Sequence, residues 1–274
     1  MSHSEFVKKV REHLAGYMPV GGVPGTFNGR TYSHIVKIPG KGQKDAIEAI
    51  LRSDGMEEVG EFKNPHRYAH HLNSSQVLCY EFFRPLLKKV GDTLVARDSE
   101  MQKVLGAMGL PAGAFLGAKA EFEKEFDDGE GTNFDFYLES EDGKSRLFVE
   151  VKYTEQGFGT CVDNRSHRDK FERTYLGMLR GAPCLNDSAH FMTRHDFPVM
   201  RKYYQLFRNT VRVLGENDYV VFLYPGANTI AEYQFDTFRE RFVADAKSDH
   251  VLKVHWEDLG ACMGERFREK FFGY

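Results

Sequence analysis

The sequence predicts a mixed α/β domain, from three observations. Two strand-like runs joined by a short polar turn occupy residues 132–155. Amphipathic segments with helical spacing lie on both sides of them. A continuous apolar run at residues 218–224 has the character of a buried strand and is closed by Pro225 and Gly226. In chain order these give a helix, three strands, a helix and a strand, followed by a further helix and strand.

Residues 133–138 carry one acid, Asp135, among apolar neighbours. The turn at 139–144 contains Asp142-Gly143, a pair that favours tight hairpins. The second run, 146–153, places Glu150 and Lys152 on one face and Val149, Val151 and Tyr153 on the other. A carboxylate among buried strands needs a partner or a cation. Two readings fit. In one, Asp135 and Glu150 hold a hard divalent cation through oxygen, and Lys152 positions water or offsets phosphate charge. In the other, Asp135 or Glu150 forms a strand-to-strand ion pair with Lys152.

The chain has 274 residues and a formal net charge of −3. That length suits one large domain or a domain with an appendage. With no global basic field, nucleic-acid binding requires a local concentration of positive charge. Cys79, Cys161, Cys184 and Cys262 are widely spaced, which argues against a disulfide framework or zinc ribbon and for a reduced, cytoplasmic protein. No apolar run approaches membrane-spanning length.

From the N-terminus, residues 4–14 read as an amphipathic helix, 21–30 as an irregular glycine-rich loop and 41–52 as a second helix. Residues 1–65 thus form an N-terminal helical appendage to a main domain at 66–274. Asn73 or Ser74 caps the next helix, and Pro85 kinks or ends it. Gln76 and Glu81 are five apart, so at most one faces a site; Gln76, near the helix start, is preferred. His66, His70 and His71 read as polar surface at the helix entry rather than as ligands for Mg²⁺-type chemistry.

Residues 98–106 form a short helix and 118–126 a strand with Glu121, Glu123 and Glu125 on one side. Glu123, the central one, is the candidate third metal ligand. Arg165, His167, Arg168, Lys170 and Arg173 are the densest basic run, either a solvated helix or a phosphate-contacting flank. Residues 197–214 read as one long helix carrying Gln205, 229–246 as another, 250–255 as a strand and 256–270 as a final helix.

Asp135, then fourteen residues, then Glu150-Val151-Lys152, resembles the PD-(D/E)XK nuclease superfamily. Phe134 stands where the superfamily's proline would be. The entry at 70–76, HxLNSSQ, and the segment YYQLFRN at 203–209 resemble bacterial restriction endonucleases of this superfamily. The resemblance covers residues 66–225. It implies a restriction-endonuclease-like α-β-β-β-α-β core, with a mixed central sheet flanked by helices.

It further implies a Mg²⁺-dependent endonuclease, with Mn²⁺ as substitute, hydrolysing DNA to 5′-phosphate and 3′-hydroxyl ends. The metal would sit on Asp135, Glu150, the carbonyl of Val151 and Glu123. Lys152 would orient water, with Gln76 and Gln205 approaching the site. The substrate expected is double-stranded DNA, and cutting both strands favours a homodimer. The alternatives are an inactive nucleic-acid-binding protein of this fold, or a structural domain in which Asp135, Glu150 and Lys152 form an ion-pair network.

Overall fold

The computed structural model describes residues 1–57, 59, 60, 62, 64–126 and 133–274. Thr132, the expected start of the central hairpin, lies outside the described residues. The strands are β1 (Val23–Phe27), β2 (Arg30–Lys37), β3 (Leu87–Val90), β4 (Thr93–Ala96), β5 (Lys119–Glu125), β6 (Asn133–Glu139), β7 (Ser145–Val151), β8 (Asn217–Tyr224) and β9 (Val251–His255). Helices α1 (His3–Leu14), α2 (Gln43–Ser53), α3 (Ser75–Phe83) and α4 (Asp98–Ala107) precede the central hairpin. After it come α5 (Arg165–Lys170), α6 (Leu176–Gly181), α7 (Asp187–His190), α8 (Phe197–Lys202), α9 (Tyr204–Thr210), α10 (Thr229–Phe242) and α11 (Glu265–Phe272).

Among the described residues, seven strands form one mixed sheet in the order β3-β4-β5-β6-β7-β8-β9. Pairing is antiparallel from β3 to β7 and parallel from β7 to β9. The change falls at β7, the strand that carries Glu150. Each face of the sheet is covered by its own apolar core. The row Tyr137, Phe148, Val220 and Val251 runs across four strands into one core, beneath α6, α8, α9 and α10. The adjacent row, Phe136, Val149 and Val221, faces the other core with α1 to α4 and Trp256. Alternation along each strand produces this division, because successive side chains leave on opposite faces. It confirms the α/β sheet flanked by helices that the sequence implies.

Several elements depart from the expected pattern. Residues 23–37 form a hairpin rather than an irregular loop, closed by Asn28 and Gly29 at φ 49° and 75°. Both positive angles belong to the two-residue turn that Asn-Gly favours. The first 65 residues are therefore not only helical, and Phe6, Val10, Leu14, Val36 and Ile50 share one core with α3 and the sheet. Strands β3 and β4 add two strands to the five expected, on the β5 side of the sheet. The helix expected over 197–214 breaks at Tyr203, whose φ −114° and ψ 29° leave the helical region. The expected final helix becomes a 3₁₀ segment, Trp256–Cys262, followed by α11.

Helix α3 starts where expected: Ser74 accepts from the amide of Val77, and the α-helix ends at Phe83 before Pro85. Glu81 on this helix points away from the carboxylates of the central hairpin. It takes Lys270 Nζ at 2.9 and 3.2 Å, and the same ammonium also binds Asp54. This buried clasp joins α11, α3 and the end of α2.

Candidate active site

Three acids share one row of the sheet. Pairs Phe122–Phe136 and Lys124–Phe134 bracket Glu123 and Asp135, so these two lie opposite each other on β5 and β6. The ladder between β6 and β7 runs from Glu139–Arg146 to Phe136–Val149 and then stops. One step further, the same register sets Asp135 opposite Glu150. There the strands part: the amide of Val151 donates to the Asp135 side chain at Oδ2, 2.7 Å away. A side-chain carboxylate thus takes a donor that would otherwise continue the ladder, and the hairpin opens where its acids lie.

Glu123 is held differently. Its φ is +51°, a left-handed conformation inside a strand, where such backbone is strained for a side chain this size. Its Oε2 accepts from Asn133 Nδ2 at 2.5 Å. Burial pushes its carboxyl up to about 7, and the neighbouring Glu150 charge adds to this against the bonds from Gln76 and Asn133. Burial likewise pushes Asp135 well above the carboxylate range, with Glu150 and Glu123 adding repulsion.

Glu150 is 3 % exposed and fully engaged. Lys152 Nζ donates to Oε1 at 2.7 Å, Gln205 Nε2 donates to the same oxygen at 2.5 Å, and Asn209 Nδ2 donates to Oε2 at 2.8 Å. Gln205 and Asn209 are one turn apart on α9 and so present both amides to one carboxylate. For Lys152 burial opposes the charged form, but the charges of Glu150, Glu155 and Asp135 outweigh it and hold the ammonium above its ordinary value. Glu150 and Lys152 do form the ion pair that one reading of the sequence contained. Lys152 pairs directly with Glu150, and the charges of Asp135, Glu123 and Glu155 lie around the same ammonium.

The cluster forms the floor of a cleft of about 670 Å³. Gln76, Glu123, Asp135, Glu150, Lys152 and Gln205 all line it, so the structure brings these candidates together. Gln76 reaches the cleft from α3, together with Ser75 at the helix start. Its Oε1 accepts from the amide of His66 at 2.8 Å, and its Nε2 donates to the carbonyl of Asn64 at 3.2 Å. It thereby fixes the loop leading into α3. Val151 is represented by the amide bonded to Asp135, while its side chain is buried in the core. Asn209 was not singled out from sequence; its place one helical turn after Gln205 was the available signal. Among the described residues, none of the basic run on α5 lines the cleft; Arg168 instead pairs with Asp163 at 2.7 Å.

The donors here are carboxylate oxygens, which suit a hard divalent cation such as Mg²⁺. Among the described residues no group of three or more His, Cys, Asp or Glu is placed so that it could hold a metal ion. The fit rests on Asp135 and Glu123, two carboxyls driven up by burial and mutual repulsion, which is the charge surplus a cation relieves.

A family model described as "Restriction Endonuclease associating with ARP" matches residues 44–268. The chain belongs to this restriction-endonuclease family. The match runs from the start of α2 to the middle of α11 and so contains the whole seven-stranded sheet and all three acids. It begins inside the segment expected to be an appendage. No curated protein and no solved structure matches the chain. Among the described residues, no helix is long and apolar enough to cross a membrane.

Proposed function

We propose that this family member is a metal-dependent endonuclease that hydrolyses phosphodiester bonds in DNA. The observation that carries the reading is the acid row on β5, β6 and β7, with the Lys152 ammonium beside it, at the floor of one cleft. Asp135 and Glu150 are the residues that would hold Mg²⁺, with Glu123 and the Val151 carbonyl beside them. The cation would offset phosphate charge and lower the pKa of water. Lys152, already charged, would orient the attacking water and neutralise charge developing on the phosphate. Gln205 and Asn209 keep Glu150 in one orientation. A purely structural ion-pair network accounts for Glu150 and Lys152, but not for the burial of two further carboxyls, Asp135 and Glu123, beside them.

The test is incubation of supercoiled plasmid and circular single-stranded DNA with wild type and Glu150→Gln, in Mg²⁺, Mn²⁺ and excess chelator. Cleavage by wild type in Mg²⁺ or Mn²⁺, lost with chelator and in the variant, is expected. Equal cutting in chelator removes the metal role, and no cutting of either DNA removes the nuclease reading.

A further inference from the structure

The cleft has a second wall, made by the hairpin β1–β2 and the loop before α3. Strand β2 is fastened to that loop by the amide of Val36 on the carbonyl of His70 at 3.0 Å and the amide of Leu72 on the carbonyl of His34 at 2.8 Å. Gln76 pins the same loop from the α3 side. The wall is therefore held in place by backbone hydrogen bonds. It is also aromatic. Phe27 stands edge-on to Tyr68 with centroids 5.4 Å apart, and Tyr68 lies 5.3 Å from His71. All three line the cleft that holds the acids. Phe27 is 37 % exposed although it is a large apolar side chain.

We propose that Phe27, Tyr68 and His71 form a stacking wall for an unpaired nucleobase, so that the enzyme acts on unpaired DNA strands. This rests on the nuclease reading of the acid row. Three features favour an unpaired strand over a duplex. Glu150 and Lys152 lie at the floor, 3 % and 9 % exposed. A phosphate has to enter the cleft to reach them. The volume of about 670 Å³ is that of a small-ligand pocket, which takes an extended single strand more readily than a paired duplex. Finally, the rings suit base stacking, which is how unpaired bases are bound without sequence preference. Burial pushes His34 and His71 down to about 4, with nearby cationic groups adding to the effect. Both rings are therefore neutral at physiological pH and offer faces rather than charge.

The test uses a single-stranded oligonucleotide containing 2-aminopurine, and the matching duplex, titrated in Ca²⁺ at fixed salt. Emission change on binding reports the base environment. The proposal expects tighter binding of the single strand than of the duplex. Phe27→Ala and Tyr68→Ala should each weaken single-strand binding roughly 5- to 150-fold and abolish the emission change. Tyr68→Phe keeps the ring and should behave as wild type, which separates stacking from misfolding. Duplex binding equal to single-strand binding, or alanine variants that bind and report like wild type, would overturn the wall. Metal-dependent cutting with an unmoved 2-aminopurine signal would sink the wall and leave the nuclease. An intact signal with no cutting would do the reverse.

Discussion

Asn209 Nδ2 donates to Glu150 Oε2 at 2.8 Å, and Asn209 itself is completely buried. The bond fixes which way a buried carboxylate faces, from a helix more than fifty residues further along the chain. Asn209→Ala removes a donor from a buried charge, at a cost of about 1–3 kcal/mol. Its midpoint in urea should fall accordingly, and metal-dependent turnover should drop as Glu150 loses its orientation. An unchanged midpoint would show that Glu150 has another donor ready.

Lys152→Ala should abolish cutting and also destabilise the metal-free protein. Lys152 is nearly buried beside Glu150, and breaking a buried pair costs about 3–5 kcal/mol. The loss should be larger at pH 8 than at pH 6, because Asp135 and Glu123, already raised by burial, take up protons at the lower pH. Urea melts in chelator at both pH values check this; equal stability of variant and wild type at pH 8 contradicts it.

The Glu81 clasp gives a separate pH dependence. Burial pushes Glu81 up to about 8 from an ordinary 4.5, and Asp54 adds to the shift while Lys270 opposes it. A raised folded pKa means stability is fully present below the unfolded value and lost as pH rises through the folded one. The loss is at most about 1.4 kcal/mol per pH unit within that window. Glu81→Gln should flatten the profile between pH 6 and 8. A variant with the wild-type slope would show that the proton sits elsewhere.

At a pH high enough to ionise Asp135, whose carboxyl burial raises, Asp135→Asn should bind DNA several-fold more tightly than wild type in chelator, yet fail to cut. Asp135, Glu150 and Glu123 place like charge where the scissile phosphate must lie, each close contact costing on the order of 1 kcal/mol in a hydrated setting. Asn keeps the shape and accepts the Val151 amide through its oxygen. A gel-shift titration at fixed salt decides it; equal metal-free affinities would move the phosphate away from the acids.

Much of this site was legible in the sequence because strand spacing is rigid. The two-residue alternation put Glu150 and Lys152 on one face, and the hairpin at 139–144 set Asp135 beside them. Gln76 could be preferred over Glu81 because the two residues cannot share a helical face, and the structure sends Glu81 to Lys270. Non-local geometry was not legible. The break at Tyr203 and the pairing of Asn209 with Glu150 depend on how α9 packs over the sheet. The β1–β2 hairpin was hidden behind its glycines, although Asn28-Gly29 carried its turn signal. For the basic run at 165–173, local composition leaves a solvated helix and a phosphate-contacting flank both open, and the structure pairs Arg168 with Asp163.

The left-handed backbone at Glu123 makes conformational comfort and electrical charge independently adjustable at one position. Glycine there would release the strain, on the order of 1–3 kcal/mol, and delete a carboxyl that burial disfavours. Alanine would delete the carboxyl and keep the strain. Glu123→Gly should therefore unfold later than Glu123→Ala in chelator, while both lose the same candidate ligand. A strand residue whose replacement by glycine is the gentler change marks a place where the chain accepts a costly fold for the sake of an oxygen atom's position.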